Sequence, residues 1–175
     1  MWASVLLGLM CLASIGLFCA GGGVWLNSIL DQDSPNDKVV FSPGLTLAGG
    51  VFLAFAHLGS TLLSTVFHSM YRRAPILGRA HELGLHLLLS FTILNAGIWL
   101  EILMGAVDVL LVAEAPYVDI PNLNMYQKRC AAGALGLVGS LLLLIVNGVS
   151  TLRARYSCSN GDQSSYNMNS PLIQK

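Results

Sequence analysis

Four long apolar runs, separated by short polar interruptions, set the pattern of this chain. They cover Ser4–Leu26, Leu45–Phe67, Leu85–Val107 and Ala131–Leu152, each close to the roughly 20 residues a helix needs to cross a hydrocarbon core. The pattern predicts an all-α fold: an integral membrane, antiparallel four-helix bundle in which short connections force consecutive helices to run in opposite directions. The bundle would occupy residues 1–152, leaving a polar segment from Arg153 to Lys175 that reads as a disordered tail rich in Ser, Asn, Gln and Gly. The first run lacks a basic leader and continues well past Ala13, so it reads as a retained span rather than a cleaved signal.

Polar residues inside the runs carry the candidate chemistry. In "NAGIWLEILMGAVDVLL" two carboxylates, Glu101 and Asp108, sit seven positions apart and point in nearly the same direction on a helix. Counting from Leu85, Asp108 reaches the far interface, where water can solvate it, whereas Glu101 stays inside the apolar run and calls for a partner. The second run offers His57, followed by Thr61, Ser64 and His68 as a polar stripe on one helix face. We expect His57 to hydrogen-bond Glu101 across neighbouring antiparallel helices, as a structural pair or as part of a proton relay. Asn95 and Asn147 fit interhelical hydrogen bonds of the same kind.

Small residues give a second signal. Ser4, Gly8, Gly16 and Ala20 in the first run, and Ala132, Gly136 and Ser140 in the fourth, recur at intervals of four or eight. Such stripes let helix backbones approach closely where packing rather than the hydrophobic effect holds helices together. Runs one and four are therefore the expected tight contacts.

Composition agrees with this reading. The chain has 175 residues, 54% hydrophobic and 10% charged, against about 25% charged in a soluble domain, and its mean hydropathy is +0.67. Net charge is zero, but the nine basic residues are distributed unevenly. Arg72, Arg73, Arg79, Arg153, Arg155 and Lys175 flank one side of the runs, and Lys38, Lys128 and Arg129 the other. The excess places the middle loop, the tail and both termini in the cytoplasm. Trp25, Tyr117 and Tyr126 lie near the opposite interface as candidate aromatic anchors.

Several chemistries fall away on spacing. "RAHELGLHLLL" brings an H-E-x-x-H zinc site to mind, but His81 and His86 are five apart, about 140° around a helix, so no metal site is expected there. Glu82 and His86, four apart, fit a local pair instead. A haem held by His68 with His81 or His86 would need ligands from adjacent helices, and no cofactor is expected. The four cysteines, Cys11, Cys19, Cys130 and Cys158, form no C-x-x-C and no loop pair; Cys158, just past the last run and beside Arg155, is a palmitoylation candidate. A nucleic-acid surface, a phosphate loop and a nucleophile elbow are all absent from the sequence.

Four spans with short loops and a polar tail resemble, in topology alone, the tetraspan architecture of the MARVEL and claudin-like groups. The claudin W-x-x-W and its two cysteines are missing from the first loop, and the tetraspanin C-C-G is missing too. No functional residue transfers on topology alone. The expected function is a non-enzymatic, multi-pass accessory, scaffold or membrane-organising protein whose partners are the bilayer and a membrane protein or a second copy. The alternative is a small proton or cation channel or transporter using Glu101 and His57.

Overall fold

The computed structural model describes residues 2–30, 41–71, 74–113 and 123–168, all but one of them helical. The helices are α1 (Trp2–Leu30), α2 (Phe41–Tyr71), α3 (Pro75–Ala113) and α4 (Leu123–Met168). All four are long and apolar enough to cross a membrane. Each overruns the apolar run that predicts it, because Ala, Leu, Ser and charged residues are compatible with a helix beyond the apolar stretch, and α1 continues through the glycines of Ala20–Gly23 to Leu30. Pro75 opens α3 at a position where a missing N–H costs nothing, and the Ala74 carbonyl accepts from the amides of Leu77 and Gly78 at 3.1 and 3.4 Å.

The largest departure is at the end of α4. The polar segment from Arg153, expected from its composition to be a tail, continues the helix to Met168. Ala154 and Cys158, at four-residue spacing, extend the buried line of α4, and no helix breaker precedes Gly161.

Contacts fix the register. On α1 and α2, Gly8 lies against Leu58, Gly22 against Leu47, and Trp25 over Gly44, so the two helices are antiparallel. Gly21 meets Ala132 and Leu135 on α4, and Arg153 donates to Ser4 Oγ at 3.2 Å, so α1 and α4 are antiparallel as well. Trp99 lies on Gly136 and the Leu103 backbone on Gly133, which gives α3 and α4 the same relation. Consecutive helices neighbour one another, α4 closes the ring against α1, and α4 also reaches α2 across the middle.

Each helix buries one seam at alternating three- and four-residue steps, the spacing that keeps a line of side chains facing a partner. On α1 the seam is Leu7, Cys11, Ser14, Phe18, Trp25 and Ser28, with Gly21 between. On α3 it includes Leu85, Thr92, Asn95, Trp99 and Ala106. Glycines on the facing helices receive the bulky members. The Phe18 ring fills the place of a Cβ at both Gly50 and Gly139, 2.6 and 3.2 Å from where those carbons would stand, and Trp99 likewise occupies the space over Gly136. Missing side chains on α2 and α4 thus make room for aromatic ones on α1 and α3. The outer surface carries leucine, isoleucine, valine and phenylalanine, among them Leu6, Phe52, Phe55, Leu94 and Ile145.

The small-residue stripe expected on α1 is corrected by this seam. Ser4 and Gly8 are half-buried, but Gly16 and Ala20 face outward. Strict four-residue steps drift by about 40° each, so Ser4 and Ala20 stand about 160° apart around the helix. Ala132, Gly136 and Ser140 span only about 80°, and all three are buried.

Candidate functional site

The interior at mid-bundle is polar. His57 on α2 is 1% exposed, and its Nε2 lies 3.4 Å from Thr92 Oγ1 on α3. Thr92 donates its hydroxyl to the Leu88 carbonyl at 2.7 Å, so towards His57 its oxygen can only accept. In the tautomer with its proton on Nε2, His57 donates to that oxygen, and Nδ1 has no partner among the described residues. One turn away on α3, Asn95 Nδ2 donates to Ser140 Oγ at 3.0 Å, and Ser140 in turn donates to the Gly136 carbonyl at 3.0 Å. These two bonds tie α2 to α3 and α3 to α4.

Lower on the same side, Thr61 donates to the His57 carbonyl at 2.8 Å. Ser64 donates to the Ser60 carbonyl at 2.7 Å, and its oxygen stands 3.2 Å from His81 Nε2, where it accepts from the Nε2–H tautomer. His81 also lies 3.4 Å from Ser60 Oγ. The polar stripe of α2 is thus matched by a histidine of α3 to which spacing along the chain assigns no partner. The side chain of His68 lies outside the described residues. Glu82 and His86 make the expected local contact, Oε1 to Nε2 at 3.7 Å.

The expected pair of His57 and Glu101 does not form. The register that sets His57 level with Thr92 leaves Glu101 nine positions further along α3, about 13 Å at 1.5 Å per residue. Orientation separates them too. Trp99 points into the core, and Glu101, two residues on, is turned about 200° from it. Glu101 and Asp108 are both exposed, and neither makes a hydrogen bond or ion pair among the described residues. The three-four seam through Thr92, Asn95 and Trp99 is the signal in the sequence that gives this orientation.

Asn147 is the reverse case. It is fully buried, as expected for an interhelical hydrogen-bonder, but among the described residues both amide atoms lack a partner, as does Thr151 Oγ1 one turn further along α4. Trp99 Nε1 has no partner among the described residues either.

Two surface expectations change. Cys158 is buried against the bundle, so acylation would require the end of α4 to open. Trp25 is buried over Gly44 and acts as packing rather than as an interface anchor. Tyr126 lies under the Arg129 guanidinium, 5.8 Å from ring centre to carbon, and Tyr117 falls outside the described residues. Among those residues no group of three His, Cys, Asp or Glu side chains gathers as a metal would need.

The chain matches no protein-family model, no curated protein and no solved structure.

Proposed function

We propose that the protein is a multi-pass integral membrane protein, with both termini cytoplasmic, that acts as an accessory, scaffold or membrane-organising subunit through lateral helix packing. One observation carries the reading: Glu101, the ionisable residue set deepest in the long apolar run of α3, is turned away from the bundle and apart from His57. A carboxylate serving a pathway through the bundle would face inward. Turned outward, it serves what lies beside the protein. The interior histidine meanwhile lies beside Thr92, a contact of the kind worth about 0.6–2 kcal/mol in lipid.

The test is the state of the protein in its own membranes. Mild solubilisation and native electrophoresis should show it in a discrete complex larger than the purified chain, with a fixed stoichiometry by quantitative mass spectrometry. A chain that runs alone, and that by itself moves protons or cations across liposomes, would overturn the reading. The buried, unpartnered Asn147, Thr151 and His57 Nδ1 favour transport as the second reading. A hydrated file along α4 and α2 would satisfy all three, and its flux would depend on Asn147 rather than on Glu101.

A further inference from the structure

α3 carries a second line of residues, half a turn from its buried seam: Ser90, Leu94, Gly97, Glu101, Gly105 and Asp108. All six are exposed, and they follow the same three- and four-residue steps as the seam behind them. A carbon added at Gly97 or Gly105 would meet nothing within 4 Å. The carboxylate therefore stands between two open gaps, one turn above it and one below.

Depth makes this arrangement costly in lipid alone. The midpoint of the α1 span Trp2–Ser28 and that of the α2 span Gly44–Val66 fall, through the contacts above, level with residues 93–94 of α3. Glu101 is then about 10–12 Å from the midplane, inside a hydrocarbon half-thickness of about 15 Å. Asp108, about 10 Å further out, reaches the headgroups. Helical side chains lean towards the N-terminus of their helix. For Glu101 that direction is towards the midplane, so its short side chain cannot rise to the near interface.

We propose that this face of α3 docks a transmembrane helix of a partner protein that carries a lysine or arginine at the depth of Glu101. A cation there would neutralise the carboxylate in a medium where the attraction is little screened. Gly97 and Gly105 would let the two backbones approach closely enough for the pair to form. A second copy does not supply the cation. A two-fold axis along the membrane normal sets Glu101 against Glu101, and the described basic residues lie off its depth: by the register above, Lys128 and Arg129 stand about 8–9 Å further from the midplane, and Arg79, Arg153 and Arg155 lie in the opposite half. The proposal rests on the lateral-assembly reading and gives the partner of that assembly a chemistry.

The purified full chain, reconstituted in phosphatidylcholine vesicles, can be titrated by energy transfer with synthetic leucine-alanine transmembrane helices. One helix carries a lysine about 11 Å from its midplane and a second carries leucine there. The lysine helix should bind about tenfold more tightly than the leucine helix, the change expected for one good polar contact in lipid. Glu101→Gln should remove that difference, and Gly97→Leu or Gly105→Leu should reduce it. Because Glu101 is exposed, Glu101→Gln is expected to fold, and circular dichroism checks that it does. Equal binding of both helices to the unaltered chain would overturn the proposal, as would a lysine preference that survives Glu101→Gln. Self-association of the chain that disappears with Glu101→Gln would assign the face to a second copy instead. In native membranes, Glu101→Gln entering the complex at unaltered stoichiometry sinks this proposal and leaves lateral assembly standing, whereas an unaltered chain that forms no complex sinks lateral assembly itself.

Discussion

Replacing Gly136 by alanine should loosen the contact between α3 and α4. The added carbon would overlap the Trp99 indole at Cδ2 and Cε2, and Trp99 is 0% exposed, with no open space into which to swing. Either the indole leaves its rotamer or the helices separate. Overpacking of this kind costs about 1–3 kcal/mol, and a clash with a rigid, enclosed ring belongs near the top of that range. Helix propensity works in the other direction, since alanine is better than glycine by about 1 kcal/mol in a helix interior. The net expectation is a loss of about 1–2 kcal/mol. Gly148→Ala, on the same helix, isolates the propensity term, because a carbon there would meet nothing within 4 Å. It should be neutral or stabilising by up to about 1 kcal/mol. Thermal or denaturant unfolding in one detergent, followed by circular dichroism, would compare the two. Trp99→Leu in the Gly136→Ala background should recover part of the loss, because the smaller side chain frees the space. If Gly136→Ala proves as stable as Gly148→Ala, the indole does not sit on Gly136 and α3 packs on α4 in a different register.

Asn147→Leu should stabilise the fold by about 1–3 kcal/mol, since a buried amide without partners costs about that much; a loss of stability would mean that water or another group satisfies the amide. Thr92→Val should cost more than His57→Leu, because the first leaves both ring nitrogens of a buried histidine unpartnered and the second removes the ring; a double-mutant cycle should give a coupling of about 0.6–2 kcal/mol, and a zero value would mean that the 3.4 Å contact contributes nothing. Cys158, buried on α4, should react with a maleimide more slowly than a cysteine placed at the exposed Tyr156, and equal rates would show that the end of α4 stands free of the bundle.

The number and type of elements were legible from periodicity and length. Runs of more than 20 apolar residues with few charges admit one secondary structure that satisfies every backbone group internally, and there are four of them. Short connections then made antiparallel neighbours the expected arrangement. The line Ala132, Gly136 and Ser140 was legible as a packing face because three residues at four-residue spacing stay within about 80° of one another around a helix. The same rule failed on α1 once it was carried across Gly16 and Ala20, where the drift turns the line to the opposite side.

What the tertiary structure decided was rotation and partner. Sequence put His57 and Glu101 on adjacent helices and supplied a chemical reason to pair them, but it did not say how far one helix slides along the other or how each is turned. Those were set by Phe18 in the gap between Gly50 and Gly139 and by Trp99 over Gly136, contacts between residues far apart in the chain. Once the rings are seated, Thr92 rather than Glu101 stands beside His57, and Glu101 faces out. Helix type follows from local backbone energetics and apolar length, whereas side-chain pairing follows from how large groups fit the spaces that small ones leave. The first is written along the chain, and the second exists only between chain segments.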